Sequence, residues 1–238
     1  SRSSAASDVY KRQFGRTVRL TRNPLMTRLA AASTSHMKKM ALHVGSGPAR
    51  VDKLHLVFRT PQWREMRLDI DPKVFPDIVA DITDMPNVGS GDYDAIWCSH
   101  CLEHLDEHAV KLALREFRRV LSAQGFVLIT CPDLLEVARL ITEGREDETV
   151  YTSPAGDVRP IDMMFGFQPS VAAGNGFMRH CTGFTARRLG RLLREAGFSE
   201  ARVRTGGNFD LWAIAFGGQA NREGIMDTLV ATGLDFRG

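Results

Sequence analysis

Lys39–Pro48, KMALHVGSGP, is the stretch on which the fold turns. Six strand-forming residues run straight into Gly45-Ser46-Gly47-Pro48. This is how a buried strand ends in a tight turn at the edge of a sheet. Working outward, similar short runs recur. Glu65–Ile70 (EMRLDI) is stopped by Asp71-Pro72, and Asp77–Ile82 (DIVADI) by a Pro/Gly/Ser loop. Tyr93–Ser99 (YDAIWCS) and Phe126–Cys131 (FVLITC) are nearly all apolar, as strands buried on both faces must be.

Helical periods alternate with these strands. Leu102, Leu105, Val110, Leu114, Phe117 and Leu121 recur at helical spacing and predict one helix over 102–121. Leu134–Ile141 begins a second, and Thr185–Ala196 is an amphipathic third, ended by Gly197. Two closing strands are expected at Glu200–Arg204 and Asp210–Phe216. Alternation of this kind predicts an α/β domain with a doubly wound, Rossmann-like, mostly parallel sheet. The domain is expected over 39–216, with a C-terminal tail at 217–238. Residues 144–184, rich in Gly, Pro, Met and aromatics, break the rhythm. They are read as an ordered insert that covers a binding site.

Charge separates the first residues from the rest. Nine Lys/Arg and one acid, Asp8, fall in residues 1–39, while the whole chain is only +3, so the globular part is mildly acidic. Residues 1–38 are read as a basic leader outside the fold, disordered or non-native. A nucleic-acid partner is not expected of an acidic domain. No apolar run nears the ~20 residues of a membrane span. The four cysteines, 98, 101, 131 and 181, have no disulfide spacing and fit a reducing cytoplasm.

The order of marks resembles that of the class I S-adenosylmethionine-dependent methyltransferases, type 11 subgroup. The resemblance covers about residues 39–216. LHVGSGP is similar to the glycine motif after strand one, although Ala49 replaces the usual third glycine. RLDIDPKV resembles the second motif, VADITDMP the third, and IWCSHCLEHL the motif after strand four. The resemblance implies a seven-stranded sheet with an antiparallel C-terminal edge strand, and S-adenosylmethionine as cofactor. It implies that Gly45, Ser46 and Gly47 approach the cofactor's amino-acid end. Asp69, with Asp71 as the alternative, would bind the ribose hydroxyls. Asp81 would bond the adenine amino group, with Ile82 packed on the ring and Asp84 capping the turn. Ser99 and His100 would flank the transferable methyl.

Other chemistries fit less well. A nicotinamide-binding G-x-G-x-x-G needs glycine where Arg50 stands. Cys98, His100, Cys101 and His104 lack a second Cys pair, and Cys98 falls in a buried strand, so no metal is assigned. The same strand placement excludes a redox Cys pair. There is neither a G-x-S-x-G elbow nor a phosphate-binding P-loop. His180 and His100 are the candidate general bases, since imidazole titrates near neutrality. Tyr151 and Asp162 are further insert residues for the acceptor. Methyl transfer to O, N or C of a small molecule by a monomer or homodimer is the expected function. The alternative is a non-catalytic module that only binds the cofactor or a partner.

Overall fold

The computed structural model describes residues 38–237, so the basic leader at 1–38 lies outside it except for Lys38. The strands are β1 Lys39–Val44, β2 Trp63–Asp69, β3 Ile78–Val79, β4 Tyr93–Ser99, β5 Leu121–Pro132, β8 Glu200–Thr205 and β9 Asp210–Phe216. They form one seven-stranded sheet in the order β3-β2-β1-β4-β5-β9-β8. β1 is buried from Ala41 to Val44, with Leu42 opposite both Met66 of β2 and Ile96 of β4. β1 to β5 run parallel, and β9 runs against both β5 and β8. The reversed strand expected at the C-terminal end is therefore β9, one place in from the edge strand β8. From β1 the chain winds outward to β3 and then restarts at β4. This puts the switch point, where ligands of such sheets bind, between the carboxyl ends of β1 and β4.

The two faces are covered unequally. On one, helices α1 (Glu107–Val120) and α5 (Ala186–Glu195) bury Leu114, Phe117, Leu189 and Leu193 against β-strand residues such as Val44 and Ile129. On the other, the link from β1 to β2 has two short 3-10 turns, Val51–Lys53 and Leu56–Phe58, in place of a crossover helix. Pro48 and Pro61 bound this link. The Arg59 guanidinium ties it up by donating to the carbonyls of Leu54 and Asp52. The rest of that face is closed by residues 217–237, which fall in the stretch expected to be a tail. Helix α6 (Arg222–Val230) and the turn after it bury Met226, Leu229, Leu234 and Phe236 with Phe58, Trp97 and Phe216.

Two further differences shape the site. The helix expected over 102–121 is broken: Leu102–His104 is a 3-10 turn, and α1 starts only at Glu107. The apolar period runs through the break, but the Glu103 carbonyl accepts from Cys181 and Thr182 N–H, at 2.8 and 3.2 Å. It is therefore captured by the insert rather than by the next helical turn. β3 is shorter than the expected 77–82 because it pairs only with β2, and residue 81 already bridges back to 84.

The insert is ordered. A hairpin, β6 (Tyr151–Ser153) and β7 (Gly156–Val158), leads to α3 (Pro160–Phe165) and α4 (Gln168–Ala172). Helix α2 (Leu134–Thr142) supports it: Val137 and Leu140 cluster with Val158 and Met163, and Phe167 packs against them.

Candidate functional site

The chain leaves β1 through Gly45 and Gly47, both left-handed at φ +59 and +57, where a Cβ would be strained. β2 holds this loop from two sides. Asp69, at its carboxyl end and nearly buried, accepts from Gly47 N–H at 2.7 Å and from Asp71 N–H at 2.9 Å. Arg67 donates to the Gly47 carbonyl and to those of Val74 and Phe75. Asp71 itself caps the following turn by accepting from Lys73 N–H. Of the two acids offered by the sequence, Asp69 alone touches the glycine loop. Ser46 is buried, and Ser99 ends β4 half-buried beside the same opening.

Asp81 is exposed, and one of its oxygens accepts from the Thr83 N–H and hydroxyl, both at 2.8 Å. It therefore does the turn-capping expected of Asp84 while its second oxygen faces outward. Ile82 is 7% exposed and belongs to the core cluster as well as to the cleft wall.

These residues line one cavity of about 1070 Å³ that continues into the insert. That is the upper end of the range for small-molecule sites, with room for two ligands side by side. Its floor holds Trp97 stacked on Trp212 at 5.9 Å, with His55 against both. Lys53 also lines it, and burial lowers the ammonium's pKa.

At the insert end lie His100, Glu103, His104 and His180. His100 is left-handed, at φ +46, which is uncommon for a residue with a Cβ. Its Nδ1 lies 3.3 Å from Oε1 of Glu103, whose side chain is 1% exposed. Burial disfavours the His100 cation, but the Glu103 carboxylate outweighs it and holds the pKa above the ordinary value. Burial likewise favours a neutral Glu103, and the His100 ring overrides this, keeping the carboxyl below its usual value. Burial pushes the His180 pKa down, and its Nδ1 bonds the Met163 carbonyl at 2.8 Å. Since a carbonyl only accepts, His180 carries its proton on Nδ1, leaving a lone pair on Nε2.

Tyr151 lines the cleft, its hydroxyl pKa raised by burial. Asp162 also lines it, but its carboxylate is engaged by the Arg159 side chain and N–H and by Gln168 N–H. Cys98 is fully buried, and contact with Cys101 together with burial pushes its thiol well up, which removes the thiolate that zinc or redox chemistry needs.

Comparison with known proteins agrees with this geometry. A family described as "methyltransferase domain" matches residues 42–129, the segment from β1 to β5 that carries the glycine loop, Asp69, Asp81 and Glu103. Residues 42–129 are thus similar to a methyltransferase domain. Among solved structures, an O-methyltransferase family protein from Burkholderia thailandensis superposes with a TM-score of 0.51 at 14% identity. The superposition covers 81% of this chain and 55% of that one. The PH0226 protein of Pyrococcus horikoshii OT3 gives a TM-score of 0.50 at 12% identity over 82% and 87% of the two chains. At such identities the likeness is one of fold. No curated protein matches the sequence.

S-adenosylmethionine is the methyl donor of this class, and the methyltransferase domain's donor set suits it. Asp69 has two engaged acceptor sites, and a carboxylate offers about four, so two remain for a diol. Asp81 keeps a free oxygen for an amino group. Glu103, His104, Lys53 and the Trp97–Trp212 pair were not assigned to the site from sequence. His104 was weighed from sequence only as a metal ligand beside the cysteines, and Glu103 only within the motif after β4. Lys53 is brought in by the link between β1 and β2, Trp97 by β4 and Trp212 by β9.

Proposed function

We propose that the methyltransferase domain transfers a methyl group to an O, N or C atom of a small-molecule acceptor held between the carboxyl ends of β1 and β4 and the insert. The observation that carries this reading is the single cavity running from the Gly45–Gly47 loop and Asp69 to His100 and His180. S-adenosylmethionine, when bound, supplies an already activated methyl on a sulfonium, which leaves as a neutral thioether. The chain's task is then alignment, and holding two reactants in near-attack geometry is worth ~7–11 kcal/mol.

In this reading Gly45, Ser46 and Gly47 receive the amino-acid end of the donor. Asp69 takes the ribose, with Asp71 holding the turn. Asp81 and Ile82 take the adenine, and Ser99 and His100 line the point of transfer. Neutral His180, with its Nε2 lone pair, suits proton removal better than His100, whose protonated form the Glu103 carboxylate favours. The mildly acidic domain favours a metabolite over a nucleic acid. Four free cysteines favour a reducing cytoplasm. Among the described residues, no helix is long and apolar enough to cross a membrane.

The test incubates the protein with isotopically methyl-labelled S-adenosylmethionine and fractionated cell extract. Label should enter the small-molecule fraction. Label found only in macromolecules, or in nothing, would refute the acceptor class.

A further inference from the structure

We propose that Glu103, His104 and His180 bind a divalent transition-metal ion of the zinc type at the acceptor end of the cleft. Each of the three offers a ligand atom lying within 4.8 Å of the other two. The Glu103 side chain is 1% exposed, and neither of its oxygens has a hydrogen-bond partner. His100 Nδ1 lies 3.3 Å from Oε1 and serves that oxygen alone, so a cation at Oε2 would offset the remaining cost of burying the charge.

The two imidazoles do not supply a donor to it. His104 Nδ1 faces the Arg179 carbonyl at 3.0 Å, and His180 Nδ1 faces the Met163 carbonyl at 2.8 Å. Both Nδ1 atoms must therefore be the protonated ones, and both Nε2 atoms carry lone pairs when the rings are neutral. Two lone pairs and a carboxylate gathered together are a ligand set. Backbone carbonyls on the far nitrogens are the usual device for fixing the tautomer of a metal-binding histidine. The rings sit T-shaped, 4.9 Å between centroids. The bonds from Cys181 and Thr182 N–H to the Glu103 carbonyl pin the insert where His180 can face its partners.

Two nitrogens and one carboxylate oxygen suit Zn²⁺, Mn²⁺ or Fe²⁺ better than Mg²⁺ or Ca²⁺, which prefer oxygen alone. Bonds of ~2.0–2.2 Å place ligands roughly 3.4 Å apart, so from separations within 4.8 Å the three need close by no more than about 1.4 Å as the ion enters. The remaining coordination positions face the cavity, where an acceptor oxygen can bind. That role rests on the methyl-transfer reading; occupancy by the ion does not. When bound, the ion takes the His180 lone pair that otherwise serves as a base.

The experiment strips the full chain with a chelator and titrates Zn²⁺ by calorimetry, with Co²⁺ as a coloured probe. One ion should bind per chain at about micromolar Kd or tighter. Co²⁺ should show visible d–d bands without thiolate charge transfer. Glu103→Gln and His180→Ala should each weaken binding by at least about tenfold to a hundredfold, judging from the effect of lesser changes at such sites. S-adenosylhomocysteine affinity reports whether each variant is folded. If Glu103→Gln fails to fold, His180→Ala and the cobalt spectrum decide. No stoichiometric binding, binding indifferent to His180→Ala, or a thiolate–cobalt band would overturn the proposal. In each case Glu103 would be left with the His100 ring alone.

Discussion

Asp69→Ala removes the carboxylate that fixes the glycine loop, and its effect can be worked from the contacts. Two N–H groups lose a charged acceptor, those of Gly47 at 2.7 Å and Asp71 at 2.9 Å. Each such bond contributes ~1.5–3 kcal/mol. Both N–H groups belong to half-buried residues, so water replaces part of what is lost. About half, ~1.5–3 kcal/mol in total, should remain, and it falls on binding because the loop must now be ordered by the ligand. At 1.4 kcal/mol per tenfold, the S-adenosylhomocysteine Kd should rise about 10- to 150-fold. Loss of direct contacts to the ligand would add to this. Arg67 still grips the Gly47 carbonyl, so the domain should stay folded. Asp69→Asn keeps one acceptor but turns an NH₂ toward a second N–H, so it should fall between, near tenfold. Isothermal titration at pH 7.5, with circular dichroism as the fold control, measures all three proteins. A folded Asp69→Ala that binds within threefold of wild type would refute the role given to this acid.

Other expectations concern stability. Leu229 in α6 is fully buried, so Leu229→Ala should cost ~2–4 kcal/mol. That corresponds to a fall in Tm of about 5–15 °C for a domain of this size. The neighbouring Val230→Ala, at a site 39% exposed, should change little; equal effects would mean that α6 does not dock. His55 gives a pH signature. Burial, with Arg59 adding to it, lowers its pKa from 6.5 to about 4, and its Nδ1 must be unprotonated to accept from Val57 N–H. Between those values the unfolded chain holds more protons than the folded one, so stability is flat above 6.5 and declines as pH falls toward 4. The full shift equals ~3 kcal/mol, which partial exposure reduces to ~1–2 kcal/mol. Urea melts at pH 7.5 and 5.0 should lose that increment in His55→Asn; an unchanged difference would assign the slope elsewhere.

The sheet was legible because its central strands are buried on both faces, which leaves continuous apolar runs. β1, β4 and β9 begin and end where the residues say. The glycine loop and Asp69 were legible because each must stand at a strand's carboxyl end. What escaped is non-local. Nothing near Glu103 in sequence tells that Cys181 and Thr182 will take its carbonyl and break the helical period. Asp81 and Asp84 offer the same side chain three residues apart, and only the turn that forms decides which of them caps it. Residues 217–238 have a weak helical pattern, and their partners, Phe58 and Trp97, lie far back in the chain.

That last packing has a consequence for how the protein is made. β1, β4 and β5 can pair as soon as they have left the ribosome. The face formed by Ala41, Trp97, Phe126 and Leu128 nonetheless stays only partly covered, by Leu54, Val57 and Phe58, until residues 226–236 follow. For the whole synthesis of the insert, α5 and the last strands, the nascent sheet presents an aromatic surface to its surroundings. A domain closed by its final segment cannot complete folding vectorially, and its early intermediates are the sticky kind that chaperones hold.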